Sequence, residues 1–366
     1  MAEQLKLLIN TDSAAFLADR LQQYFPGFDN SRFQQQAAAA LGPLSLTQRV
    51  DYLADLIAEQ LPVDFNNVAP RLQLLAANWP AAEQQGWQNY ISWPLINYAG
   101  KAGLTTPALA LPLLAKLTPL FTAEFAIRPY LEQHFELTYR HMLDWTRNPD
   151  PHVRRLASEG LRPRLPWGKR LDNIPLEKAL TLLNVLKDDD SVYVQKSVAN
   201  HLNDLSKVHP RAVLSQCQRW QTGATPVRLW IIRRALRSLQ KQADPAALAL
   251  LGYQQDLPLA IAFQTAQSDC RLGGAVTLQL TLQNQAQQPL TLLIDYELWL
   301  LRANGRHSVK VFFWQRLNLP AGHRLSLNKQ QPMQQRTTRK LYPGRHEIRL
   351  RINGQVLASQ IFELRP

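Results

Sequence analysis

The chain has 366 residues, long enough for two domains with cores of their own, and carries a formal net charge of +13. So basic a balance points to a polyanion as partner, either nucleic acid or an anionic membrane surface. Its two cysteines, Cys217 and Cys270, stand far apart, which argues against a disulfide framework and against a zinc site.

No run of about 18 apolar residues offers a membrane span. The opening "MAEQLKLLIN" lacks the basic start and long apolar core of a signal peptide, so a cytoplasmic protein is expected. Up to about residue 255 the pattern is helical. In "SLTQRVDYLADLIAEQL", Val50, Leu53, Ala54, Ile57, Ala58 and Leu61 fall at helix spacing, with Ser45 as N-cap. "LALPLLAKLTPLFTAEFAIRPYLEQHF" is more apolar and interrupted by prolines, which predicts short buried helices with breaks. Turns then recur at residues 148–151 ("NPDP"), 188–191 ("DDDS") and 222–226 ("TGATP"), each followed by a similar stretch. Aligning Val153, Val194 and Val227 gives steps of 41 and 33 residues. Helix pairs repeating at this length predict a HEAT-like solenoid, whose stacked helices would line up their basic residues as one cationic groove.

From about residue 259 the period changes to two. "VTLQLTLQN" puts Val276, Leu278, Leu280 and Leu282 on one face. "HEIRLRINGQVLASQIFEL" reads as two strands around an Asn353-Gly354 turn. Roughly seven short strands predict an immunoglobulin-like sandwich, with Tyr342 placed as a tyrosine-corner residue would be. The expected architecture is therefore mostly α: a solenoid over residues 1–257, then a smaller all-β sandwich over 258–366.

The charge is uneven along this plan. Residues 1–139 hold 8 basic and 12 acidic residues, 140–241 hold 19 and 9, and 242–366 hold 14 and 7. A polyanion should dock on the middle and C-terminal parts. "HVRRLASEGLRPRLPWGKR", residues 152–170, sets Arg154, Arg155, Arg162, Arg164, Lys169 and Arg170 around one acid, Glu159, and one indole, Trp167. Lys196, Lys207, Arg228, Arg233, Arg234 and Arg237 continue the basic series, and Arg336, Arg339, Lys340 and Arg345 cluster near "LYPGRH". Phosphate contacts of this sort give salt-dependent affinity for nucleic acid; a wet surface is the bland reading. Glu159 and Asp204 are acids in comparable cationic neighbourhoods, where a salt bridge, or for Asp204 a pairing with Lys207, is the plain alternative. Glu124 lies in an apolar stretch, where an acid is costly unless partnered; Arg128, four residues on, is one partner available. A tryptophan in such a Pro-Trp-Gly turn is more often a packing plug than a ligand platform. No Gly-rich phosphate loop, HExxH or GxSxG motif occurs, and the scattered histidines form no ligand set, so neither a metal nor a cofactor is expected.

"PHVRRLASEGLRPRLPW" at 151–167 and "SVANHLNDLSK" at 197–207 resemble signatures of the AlkC branch of the HEAT-like-repeat alkylpurine DNA glycosylases. The resemblance covers about residues 100–255, more loosely the N-terminal helices, and an appended immunoglobulin-like domain is similar to that of the longer members. It implies excision of cationic N3-alkylated bases, chiefly 3-methyladenine and by extension 3-methylcytosine, from DNA; separately, double-stranded DNA containing alkylated bases is the expected partner and a monomer the expected state. Carried over residue by residue, it implies catalytic roles for Glu159, Trp167 and Asp204, and more weakly for Glu124. A non-catalytic DNA-binding repeat protein and a peptide-binding scaffold would share the fold without the chemistry.

Overall fold

The computed structural model describes residues 5–80, 90–335 and 340–366. Among these the helices come first: α1 (Thr11–Tyr24), α2 (Asn30–Ala40), α3 (Leu46–Ala58), α4 (Phe65–Ala77), α5 (Trp93–Ala102), α6 (Pro107–Leu117), α7 (Arg128–Gln133) and α8 (Phe135–Trp145). They continue as α9 (Pro151–Gly160), α10 (Leu176–Val185), α11 (Val192–Ser206), α12 (Pro210–Gln221), α13 (Pro226–Ala235), α14 (Arg237–Lys241) and α15 (Pro245–Leu250). Their starts are written locally. Asn10 and Ser13 close a capping box on α1, and Gln48 Oε1 accepts from the Ser45 N–H at 2.9 Å ahead of α3. Proline opens α6, α9, α12, α13 and α15, where its missing N–H has no helical partner to lose. No helix among the described residues is long and apolar enough to cross a membrane.

The chain divides into two compact units, one of residues 1–205 with 223–235, the other of residues 206–222 with 236–366. In the first, α1 packs on α2 and α4, α3 on α5, α4 on α6, and α9 on α6, α8 and α10. One close approach seats the site. A Cβ at Gly100 of α5 would lie 2.7 Å from the Ala126 Cβ and 3.2 Å from its Cα. The Tyr130 hydroxyl of α7 donates to the Gly100 carbonyl at 2.8 Å. The segment between α6 and α7, which carries Glu124, is thereby pinned against α5.

In the second unit, β1 (Leu259–Thr265), β3 (Ala275–Asn284) and β6 (Arg324–Pro332) form one antiparallel sheet. The other sheet has the order β2-β8-β7-β4-β5, from β2 (Asp269–Arg271), β8 (Gln355–Arg365), β7 (Gly344–Ile352), β4 (Leu290–Leu301) and β5 (His307–Leu319). Val276, Leu278, Leu280 and Leu282 all face the core between them, as their period-two spacing predicts. Asn353 and Gly354 both take positive φ, 47° and 84°, the backbone of a two-residue hairpin. Buried Tyr296 donates its hydroxyl to Gln331 at 2.6 Å, and Tyr342 offers its backbone carbonyl to the His346 ring at 2.9 Å.

Helix gives way to strand at Leu259, but the compact unit holding the strands starts earlier in the chain. Arg351 donates to the Lys241 carbonyl at 3.1 Å and Asn353 to that of Gln254 at 2.7 Å. Leu293 points away from the sandwich core and packs with Leu248 and Tyr253. The last helices therefore form a small second core beneath β4.

Candidate active site

Arg155, Glu159 and Arg162 stand at i, i+4 and i+7, which puts all three on one face as α9 runs into its following turn. Across from them lie Glu124, from the segment before α7, and Asp204, near the end of α11. The five side chains form a line of alternating sign. Glu124 Oε2 meets Arg155 Nη1 at 3.0 Å, and Arg155 Nη2 lies 3.7 Å from Glu159 Oε1. Glu159 Oε2 meets Arg162 Nη1 at 2.7 Å; Arg162 Nε and Nη2 both donate to Asp204 Oδ2, at 2.9 and 2.7 Å. All three acids are buried, Glu159 to 2% and Asp204 to 3% exposure. In these contacts three carboxyl groups face two guanidiniums, so the row holds one more acid than base.

Such a row is costly to bury, and supporting contacts offset that cost. The Thr122 hydroxyl donates to Glu124 Oε2 at 2.8 Å. The Arg155 guanidinium lies 4.5 Å from the centre of the Tyr193 ring. Arg128, almost fully buried, donates to the carbonyls of Lys169 at 2.6 Å, Gly160 at 3.2 Å and Arg162 at 3.0 Å, which fixes the turn after α9. On α11, burial and then the Arg162 charge push His201 down to about 3, so its ring is neutral beside the row.

Burial pushes the Glu124 carboxyl above its ordinary range, opposed first by Arg155 and reinforced by Glu159. A raised folded-state value means the folded protein holds this proton to a higher pH than the unfolded chain. The stability it brings is full below the unfolded value and is lost as pH rises through the folded one. Urea unfolding from pH 4.5 to 7.5 checks this: Glu124→Gln should show a less negative dependence of stability on pH than the parent. An unchanged dependence would mean that Glu124 ionises as in the unfolded chain.

The structure thus brings together Glu124, Glu159, Asp204, Arg155 and Arg162. It also corrects several expectations. Glu124 takes Arg155 rather than Arg128 as its ion-pair partner, and Asp204 takes Arg162, 42 residues away, as its buried one. Four arginines read as phosphate contacts have their donors engaged within the protein. Arg155 and Arg162 sit in the row. Arg154 binds Asp189 at 2.7 Å, Asp190 at 2.8 Å and the carbonyls of Asn148 and Pro149; Arg228 pairs with Asp188. The physical reason is proximity: the Asp188-Asp189-Asp190 turn lies against both helices that carry these arginines. Arg164, Lys169, Lys196, Lys207, Arg234 and Arg345 are exposed, Lys169 with an ion pair to Glu132 at 2.8 Å. Arg339 lies outside the described residues, as does Arg336. Trp167 is not a plug. It is 57% exposed, with φ of 61°, and lines a cavity of about 360 Å³ with Lys6 and residues 43–48. Arg128 and Tyr193 were not singled out as site residues. The i, i+4, i+7 alternation of charge was the available signal for the row, and nothing local marks the other two.

A helical-repeat unit that buries an acid-rich charge row, joined in one chain to an immunoglobulin-like sandwich, defines a narrow class. A solved structure, the Pseudomonas fluorescens alkylpurine DNA glycosylase AlkC bound to DNA containing an abasic site analog, is 35% identical, with a TM-score of 0.91 over 99% of both chains. The Uncharacterized protein YhaZ of Bacillus subtilis (strain 168) is 31% identical over 363 residues, 98% of this chain and 99% of that one. Residues 260–366 match the family described as the YhaZ C-terminal Ig-like domain. The chain belongs to the AlkC-type family of alkylpurine DNA glycosylases.

Proposed function

We propose that this protein is a monofunctional DNA glycosylase of base excision repair. It acts as a monomer on double-stranded DNA and hydrolyses the N-glycosidic bond of cationic N3-alkylated bases, chiefly 3-methyladenine and also 3-methylcytosine. The observation that carries the reading is the buried row with one more acid than base.

Alkylation at N3 makes the base a cation, so the C1′–N bond breaks to release a neutral base without prior protonation. What the reaction needs is support for the positive charge that develops on the deoxyribose, and a water directed at C1′. Fixed carboxylates supply both: one faces the oxocarbenium-like sugar, and another accepts the proton of the attacking water as the C1′–O bond forms. Glu159 and Asp204 take these two roles, with Glu124 extending the negative field. Trp167 presents an open indole that can pack on sugar or attract the cationic base. The exposed Arg164, Lys169, Lys196, Lys207 and Arg234 hold flanking phosphates, and Arg345 on the sandwich supplies an auxiliary contact.

The test is direct. Purified protein is incubated with DNA treated with a methylating agent, and the liberated bases are identified by chromatography. Free 3-methyladenine is expected first, with 3-methylcytosine beside it. Release of no alkylated base, with DNA binding intact, would leave a binding protein in place of an enzyme.

A further inference from the structure

Tyr193 stands in the first turn of α11, directly over the charge row. Its ring centre lies 4.5 Å from the Arg155 guanidinium carbon, and the His152 ring meets it edge-on at 5.3 Å and 64°. Two neighbours therefore set its tilt. Yet the residue is 41% exposed, beside Val192 at 56%, so an apolar surface opens to solvent immediately above buried charges. Arg155 depends on that ring. Its other partners are Glu124 and Thr122 from the segment before α7, at 3.0 and 3.2 Å, and Glu159 on α9 at 3.7 Å. The last distance is long for an ion pair, so the orientation of the guanidinium is shared between the carboxylates and the ring.

We propose that Tyr193 is a further substrate-contacting and positioning residue: one side of its ring holds the Arg155 guanidinium, and its open side takes a deoxyribose of the damaged strand. The inference rests on the glycosylase reading. A deoxyribose offers C–H faces that suit an exposed aromatic ring, and the ring sits next to the acids proposed to meet the lesion sugar. Docking the strand on it removes water from above Arg155. In the drier setting each contact of the row strengthens, so the carboxylates are most firmly held when DNA is present. Arg155 in turn opposes the upward push of burial on the Glu124 carboxyl.

Three variants test this: Tyr193→Phe, Tyr193→Ala and, should the alanine protein fail to fold, Tyr193→Leu. Single-turnover release of 3-methyladenine is followed from pH 5 to 9, and affinity is measured for a duplex carrying an abasic-site analogue. Tyr193→Phe keeps the ring and loses only the hydroxyl, which also bonds Arg155, so it should lie between the parent and the ring-less variants. Loss of the ring should slow release about ten-fold, the scale of a cation–π contact on a half-exposed ring. It should also weaken binding of the abasic duplex and move the acid limb of the pH profile upward, because Glu124 then loses part of the Arg155 attraction. A ring-less variant with parental rate, profile and affinity overturns the proposal, as does a phenylalanine variant as impaired as the alanine one. If the parent itself releases no base, the glycosylase reading fails; the abasic-duplex arm still judges Tyr193, and unchanged affinity in the ring-less protein rejects it.

Discussion

Asp204→Asn and Glu159→Gln should each slow release of 3-methyladenine by about a hundred- to ten-thousand-fold, the range of a lost base or a lost electrostatic stabiliser. Either amide keeps the volume of the acid it replaces, and its carbonyl oxygen can still accept from Arg162, which donates to Asp204 at 2.7 and 2.9 Å and to Glu159 at 2.7 Å. What changes is charge. With one acid replaced, two carboxyl groups face two guanidiniums, and the surplus acid that would meet a cationic sugar is gone. Binding to undamaged duplex should persist, because the exposed lysines and arginines are untouched. The double variant should be little slower than the worse single one, since residues that act as a unit are not additive. Single-turnover kinetics on methylated DNA, with thermal unfolding run in parallel, checks all of this. Parental rates in both single variants would sink the mechanism. So would a rate loss that simply follows a fall in unfolding temperature.

How much of this could be read from the sequence differs between the two units. Strand period and turn chemistry are local, so the change of period near Leu259, the inward face of Val276 to Leu282 and the Asn353-Gly354 hairpin are visible in the chain itself. The helical repeats are visible too, as turns followed by similar stretches. The partners of charged groups are another matter. Glu124 has a tempting arginine at i+4 in Arg128, and Asp204 a lysine at i+3 in Lys207, yet their buried bonds go to Arg155 and Arg162, 31 and 42 residues away. Those pairings follow from how α9 stacks between its neighbours, and no spacing within one helix encodes that. The same holds for Arg154 and Arg228. Each looks like a phosphate contact until the aspartates of the 188–190 turn are folded against it. Basic residues mark a cationic region, but only burial separates those that hold the fold from those left to meet a polyanion.

Arg128 makes that distinction most sharply, and its removal should be the most damaging single change outside the acids. Its guanidinium reaches three carbonyls, of Gly160, Arg162 and Lys169, at both ends of the turn that carries Arg162 and leads into Trp167. Burial draws its value down to about 10, opposed first by Glu124, so it remains charged at neutral pH. Arg128→Met would fill much of the space and leave those carbonyls without their donor. A loss of about 3–5 kcal/mol is expected, the cost of breaking a buried charged network. Arg128→Lys keeps the charge, but one ammonium cannot span three acceptors arranged for a planar fork, so most of the loss should remain. The damage should be local before it is global. Arg164, Lys169 and Arg170 are exposed cleavage sites in this turn, so brief trypsin treatment under native conditions should nick the variants there well before the parent. Base release should fall with the nicking rate, because Arg162 then no longer holds Glu159 and Asp204 in register. Should Arg128→Met unfold in urea at the parental midpoint and resist trypsin as the parent does, the turn is held by its own contacts, and the row owes its geometry to α9 and α11 alone.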